Sequence, residues 1–127
     1  MLLMMDFILE QPTVNGRLYT KENFLKASNK FMSQKHRLIA YKEHVPTSNT
    51  LSLESVIGTV NEVDVRGNGM VFVDCNFIET PMSRHVRTFP VLSISPFMIG
   101  KVDEETKIVN VESIEYFFVN YKCEVGS

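Results

Sequence analysis

The stretch VIGTVNEVDVRGNGMVFVDCNFIE, residues 56–79, contains two strand-like runs separated by the four residues RGNG. Glycine adopts the positive φ angles that a tight hairpin loop requires, so this loop is expected to join two neighbouring antiparallel strands. In the second run Val71, Val73, Cys75 and Phe77 alternate with more polar residues, which is typical of a strand with one buried face. The stretch therefore predicts a β-hairpin within an antiparallel sheet.

Two helices are predicted, one before this hairpin and one after it. The segment MDFILEQPTVNGRLYT, residues 5–20, indicates a strand followed by a turn, because proline and an Asn-Gly pair interrupt it. Thr20 then caps the helix KENFLKASNKFMSQK, whose apolar stripe faces the sheet. That stripe consists of Phe24, Leu25, Ser28, Phe31 and Met32. Thr80 and Pro81 start a second, shorter helix as an N-cap followed by proline. Its inward-facing residues are Met82, Val86 and Phe89.

The remaining apolar segments complete a count of six or seven strands. They are MLLMMDFILE, RLIAYK, VLSISPF and IVNVESIEYFFVNYKC. Strands and helices do not alternate regularly, so a parallel doubly wound sheet is not indicated. The predicted fold class is α+β, mainly β: a six- to seven-stranded, mostly antiparallel barrel or sheet flanked by two helices. The length of 127 residues and the lack of a linker predict a single domain over residues 1–127.

The amino-acid composition limits the classes of ligand and partner that the chain is expected to bind. The formal net charge is −2 and the basic residues are scattered, so we expect no nucleic-acid partner. No run approaches the ~18 apolar residues of a membrane span, so we expect a soluble protein without a membrane partner. Cys75 and Cys123 lie in strand-like segments without a CxxC spacing, which predicts neither a zinc site nor a disulfide and fits a reducing compartment.

Three histidines, His36, His44 and His85, are the candidates for a general base. A lone histidine in a polar segment is usually a solvated side chain, and His36 and His85 fit that interpretation. His44 lies in the irregular stretch EHVPTSNTLS beside Glu43, whose carboxylate could orient the imidazole and raise its basicity. It is therefore the best candidate of the three.

Two serines are the candidate nucleophiles. Ser93 and Ser95 lie in FPVLSISPFMIGKV, residues 89–102, and alternation would point both to the same face of a strand. A serine nucleophile also needs a base and donors for the oxyanion, so the spacing fits a mildly polar strand face equally well. Glu112 and Glu115 could supply a third catalytic member or form a solvated strand face. No metal-ligand spacing, phosphate loop or nucleophile elbow is present, and we predict no metal or cofactor.

Four segments, taken in order, resemble the prohead (capsid maturation) proteases of tailed phages, which share a fold with the herpesvirus assembly proteases. ILEQPTVNGRLYTKENFLKA is similar to the family's Asn-Gly-Arg-x-Tyr turn before a helix. RLIAYKEHVPTSN is similar to its catalytic histidine loop, and GNGMVFVDCNFIETPMSRHV to the strand and Thr-Pro helix start that follow. LSISPFMIGKV is similar to its nucleophile segment. The turn residues that match are Asn15, Gly16, Arg17 and Tyr19.

The resemblance implies a seven-stranded, mostly antiparallel barrel wrapped by helices. It also implies that His44 takes the position of the catalytic histidine, Ser95 that of the nucleophile and Gly100 that of a later glycine, while Ser93 falls where the family has glycine. The setting that it implies is the assembly of a virus head in a bacterial cytoplasm.

The chain departs from the family pattern at the positions closest to the chemistry. Pro-Phe-Met, residues 96–98, replaces the Ser-Arg-Gly that follows the nucleophile and helps to hold the oxyanion. Loss of one oxyanion donor costs about 10²–10³ in rate. Val45 separates His44 from Pro46, and the polar position of the third catalytic member falls at or near Phe118.

These departures favour a virion structural protein, a protease-like barrel without catalysis that serves as a capsid decoration, vertex or neck component. The alternative is an active serine endopeptidase that trims scaffold and capsid proteins during prohead maturation. Ser95 would then attack, His44 would act as base, and Glu112 is a candidate third member. An unrelated binding module is the remaining alternative. The expected partners are capsid, scaffold or other virion proteins, in multiple copies, located in the virion and in the host bacterial cytoplasm during assembly.

Overall fold

Six strands and two α-helices form the structure, a computed structural model that describes residues 1–43, 46–48, 50–89 and 92–119. The strands are β1 Leu2–Met5, β2 Leu38–Tyr41, β3 Val56–Val65, β4 Val71–Phe77, β5 Ser93–Val102 and β6 Val109–Val119. The helices are α1 Lys21–Met32 and α2 Pro81–Val86, and a single 3-10 turn spans Leu53–Ser55.

The strands close into a barrel in the order β1-β4-β3-β2-β6-β5. Two long antiparallel hairpins, β3–β4 and β5–β6, provide most of the wall. The short strands β1 and β2 join the hairpins, each pairing antiparallel with one hairpin and parallel with the other. The predicted fold class, a mainly β, mostly antiparallel barrel with two helices, is therefore confirmed. The strand that was predicted over VLSISPF extends further toward the C-terminus in the structure, because β5 continues past Phe97 to Val102.

The hairpin of residues 56–79 forms as its sequence predicts. Gly69 has a φ of 86°, and a Cβ atom there would meet the carbonyl oxygen of Leu9 at 2.3 Å, so only glycine fits this loop. The alternating side chains Val71, Val73 and Cys75 are buried in the main core. Burial raises the pKa of the Cys75 thiol to about 12, which keeps the thiol protonated and unreactive at neutral pH. Cys123 lies outside the described residues.

Helix α1 fills a gap in the barrel wall that the short strand β2 leaves open. Among the described residues, β2 pairs with the last three residues of β6 in their parallel register, and α1 packs against β6 and β3. The side chain of Asn23 accepts from the backbone N–H of Val111 at 2.8 Å, which satisfies a donor on the open edge of β6. Phe31 contacts the inward-facing Phe117 with ring centroids 5.3 Å apart, so α1 contributes directly to the core.

Both helix starts agree with the sequence, and one stripe residue does not. The Thr20 and Thr80 hydroxyl oxygens accept the backbone N–H of Asn23 and Ser83, as N-caps do. The prediction that Leu25 faces the core is wrong, because Leu25 is 42 % exposed and Ala27 takes the buried position instead. The inward face of a helix follows the 3.6-residue period, and Leu25 lies off that face.

In the part of the chain that the structure describes, neither helix combines the length and the apolar character needed to cross a membrane.

Candidate functional site

Ser95 lies in the barrel wall, on the outward-facing side of β5. Its neighbour Ile94 joins the main core, so alternation along the strand turns Ser95 away from the barrel interior. Ser95 pairs with Phe118 of β6 and is only 6 % exposed. The candidate nucleophile is therefore a buried residue inside a paired strand.

The hydroxyl group of Ser95 donates a hydrogen bond to the Asp6 carboxylate oxygen Oδ2. Asp6 directly follows β1, whose last residue Met5 pairs with Ile94 in the parallel register. The backbone N–H of Asp6 also donates to the carbonyl oxygen of Ile94 at 3.1 Å. Backbone pairing thus brings Asp6 beside Ser95, although 89 residues separate them in sequence.

Asp6 sits in an unusual electrostatic environment for a carboxylate. Burial raises its pKa, and the hydrogen bonds from Ser95 and from its own backbone N–H lower the pKa by smaller amounts. Its second carboxylate oxygen, Oδ1, is buried and has no hydrogen-bond partner among the described residues. Sequence reasoning gave Asp6 no role. The only available signal was a lone carboxylate that interrupts the first apolar strand.

The residues after Ser95 provide little for an oxyanion. Pro96 has no backbone N–H. The backbone carbonyl of Ile94 faces β1, where it accepts from Asp6. Backbone groups two residues apart in a strand point to the same side, so the backbone carbonyl of Pro96 also points away from β6. Phe97 instead pairs with Tyr116 of β6, and their rings stack with centroids 5.1 Å apart. An aromatic contact therefore occupies the surface directly after the serine.

Phe118 lies at the position where the resemblance expects a polar third member. It is the register partner of Ser95, and on its other side it pairs with Ala40 of β2. Phe118, Ala40 and Tyr116 form a second, outward-facing apolar cluster against which Leu51 and Phe97 pack. The side of Ser95 that faces β6 is thus apolar.

His44 and Val45 lie outside the described residues. Ala40 of β2, Phe118 of β6 and Ser95 of β5 lie side by side in one row across the barrel wall. β2 ends one residue later at Tyr41, which pairs with Val119. The tyrosine hydroxyl of Tyr116 donates to the carbonyl oxygen of Ser48 at 3.2 Å, so a described part of the following loop contacts the outward apolar cluster. The end of β2 and Ser48 therefore lie near the cluster that packs beside Ser95.

The other candidate side chains lie elsewhere. Glu112 adjoins Val111, the partner of Gly100, five residues along β5 from Ser95, which corresponds to about 16 Å at the usual rise of a strand. Glu112 is exposed at a groove between α1 and β6 that Lys26 and Lys30 also line. The structure does not bring Glu112 to Ser95.

Glu115 and the remaining histidines have local neighbours of their own. Glu115 accepts a hydrogen bond from the Ser113 hydroxyl at 3.0 Å. The ring of His85 on α2 contacts the rings of Tyr41 and Phe89, with centroid distances of 6.2 and 5.3 Å. His36 is exposed just before β2.

Gly100 has a structural explanation. β5 and β6 approach closely there at a register shift, and a Cβ atom at position 100 would lie 2.3 Å from the carbonyl oxygen of Asn110. The glycine that the resemblance picks out is therefore required for strand packing. Among the residues that the structure describes, no cluster of three or more His, Cys, Asp or Glu side chains could hold a metal ion.

Comparisons with known proteins agree with this architecture. The chain has a prohead-protease-like fold. A solved structure to which it is similar is that of the bacteriophage T4 capsid assembly protease, gp21, with a TM-score of 0.68. The match covers 98 % of this chain and 78 % of that chain at 16 % sequence identity. No protein-family model matches the chain, and no curated protein matches it by sequence.

Proposed function

We propose that this chain is a virion or capsid-associated structural protein that uses a prohead-protease-like fold without proteolytic activity. Its place would be that of a capsid decoration, a vertex or a neck component. The observation that carries the proposal is the position of Ser95, which is 6 % exposed inside a paired strand with Phe118 opposite it.

The surroundings of Ser95 support this proposal from three sides. A serine nucleophile transfers its proton to a base and needs donors aimed at the developing oxyanion. Here the residue after the serine is a proline, the facing residue of β6 is Phe118, and the serine itself is 6 % exposed. None of these features helps a peptide carbonyl to reach the hydroxyl or stabilises its oxyanion.

The similarity to a capsid assembly protease supports capsid or scaffold proteins as the partners. In this proposal the barrel provides a rigid surface for protein contacts, in multiple copies per virion, and the protein is found in the virion and in the bacterial cytoplasm during head assembly. A fold of this kind hosts different functions, so the site residues decide between catalysis and assembly.

An active serine endopeptidase that cleaves scaffold and capsid proteins is the second candidate. One observation favours it: Tyr41, the last residue of β2, lies next to the row that contains Ser95. In that case Ser95 would attack and His44 would act as the base.

Co-expression with the scaffold and capsid proteins of the same virion separates the two functions. The wild-type chain, Ser95→Ala and His44→Ala are expressed in parallel, and cleavage is followed by intact-mass spectrometry. We expect no processing in any of the three, together with sedimentation of the wild-type chain with assembled heads. Processing by the wild-type chain that either substitution abolishes would establish the protease instead.

A further inference from the structure

The barrel closes between β1 and β5 through a very short seam. Among the described residues, two parallel register pairs join the strands, Met4 with Ser93 and Met5 with Ile94. The other parallel seam, between β2 and β6, has three pairs. A two-pair seam provides few backbone hydrogen bonds, so side chains at its end have a large share in holding it.

Asp6 and Ser95 stand where the next pair of this seam would be. The Asp6 backbone N–H donates to Ile94, and the Ser95 hydroxyl donates to the Asp6 carboxylate. A backbone hydrogen bond and a side-chain hydrogen bond therefore continue the seam by one residue. Neither residue has another side-chain hydrogen bond in the described part of the chain that would account for its burial.

We infer that Asp6 is the positioning residue of Ser95: its carboxyl group fixes the hydroxyl and extends the β1–β5 seam, so that Ser95 serves barrel closure. The inference deepens the proposed function and rests on it, since it says what the serine does in a barrel that does not cleave peptides. It assigns to Asp6 a role in the conformation of the candidate nucleophile.

The direction of the hydrogen bond supports this role. Asp6 holds the hydroxyl on the β1 side of Ser95, whereas Phe118 and the end of β2 lie on the β6 side. The second oxygen of Asp6 is buried without a hydrogen-bond partner among the described residues, so its contact with Ser95 is the side-chain hydrogen bond that the carboxyl group makes there.

A double-mutant cycle on the full chain tests the inference. Asp6→Ala, Ser95→Ala and the double variant are unfolded in denaturant, and the unfolding equilibrium constants are compared. We expect the two substitutions to be coupled by about tenfold in that constant, because each alone removes the same hydrogen bond. Additive effects, within about twofold, would overturn the inference.

Two controls make the result specific. Asp6→Asn retains an oxygen that accepts from Ser95, so it should keep most of the coupling, and behaviour like that of Asp6→Ala would contradict the positioning role. Ser83→Ala is the matched serine control, since Ser83 is fully buried on α2 and its hydroxyl has no partner in the described part of the chain. Its effect should add to that of Asp6→Ala, and tenfold coupling of this pair would also count against the inference.

The rate of amide hydrogen exchange provides a second test, and it requires only the conservative variant Ser95→Ala. We expect the Asp6 amide, which bonds to Ile94, to exchange about tenfold faster than in the wild-type chain. Unchanged exchange would overturn the inference. These results are distinguishable from the cleavage assay: a processed scaffold would disprove the proposed function, whereas additive stabilities disprove only the role of Asp6.

Discussion

The two parallel seams of the barrel differ in chemistry although they share one row of residues. Across that row lie Asp6, Ser95, Phe118 and Ala40, contributed by the end of β1, β5, β6 and β2. The β1–β5 seam ends in a polar pair, and the β2–β6 seam is lined by apolar side chains. A polar partner for the serine thus occurs on the side away from β2. A prohead-protease-like fold can thus hold a serine whose polar partner and apolar neighbours lie on opposite sides of its strand.

The largest effect is expected at the apolar seam. Phe117→Ala removes a fully buried ring that pairs with Ile39 of β2 and contacts Phe31 of α1. Loss of such a ring should lower the free energy of unfolding by about 3–5 kcal/mol, measured by denaturant unfolding. Phe72→Ala is the matched control, because Phe72 lies half-exposed under the Arg66 guanidinium. An equal loss in both variants would contradict the importance given to this seam.

A smaller effect is expected where the apolar seam faces outward. Ala40 is completely buried beside Phe118, so Ala40→Leu adds atoms to a packed cluster. Overpacking of this kind costs about 1–3 kcal/mol, and the melting temperature should fall accordingly. A variant as stable as the wild-type chain would mean that the outward cluster contains space that its burial does not suggest.

The polar seam should respond to pH. Burial raises the pKa of Asp6 in the folded chain, so between the unfolded value of about 3.9 and the higher folded value the folded state binds more protons. Stability contributed by Asp6 is therefore complete below the unfolded pKa and is lost as the pH rises through the folded pKa. Asp6→Asn removes this dependence.

The measurement is the difference in unfolding free energy between Asp6→Asn and the wild-type chain over this pH range. As the pH rises, the unfolding free energy of Asp6→Asn should increase relative to that of the wild-type chain. Asp6 also interacts electrostatically with Tyr19. The pKa of Tyr19 is raised mainly by burial and is lowered by Arg17. A flat difference curve would show that Asp6 titrates normally.

The smallest effect is expected for the carboxylate that lies away from both seams. Glu112 is exposed about 16 Å along the strand from the serine, so Glu112→Gln should change the unfolding free energy by less than about 0.5 kcal/mol. It should also leave the reactivity of Ser95 toward a fluorophosphonate, a reagent that modifies activated serines, unchanged. A clear change in either measurement would return Glu112 to the candidate site.

The sequence predicted the elements of the fold better than it predicted the site. Alternation in residues 71–77 and the caps Thr20 and Thr80 are local signals, and the corresponding strand and helices were confirmed. Leu25 was misassigned because two adjacent apolar residues, Phe24 and Leu25, cannot both lie on the centre of one helix face.

The partner of Ser95 depends on a long-range register that local patterns do not encode. Asp6 lies opposite Ser95 only because β1 runs parallel to β5 with Met5 beside Ile94. A shift of one residue would turn one of the two side chains to the other face. The position of Phe118 in the row with Ser95 depends on the same kind of information, although the resemblance pointed to that part of β6.

We propose that Ser95 is a structural residue in a protease-like barrel. The most direct test is the reaction of the native chain with a fluorophosphonate, which modifies activated serines, followed by peptide mass spectrometry. We predict that Ser95 stays unmodified over hours at neutral pH, in the wild-type chain and in Asp6→Asn alike. Stoichiometric modification of Ser95 in the native chain, lost on denaturation and in His44→Ala, would contradict the claim and establish an active serine protease.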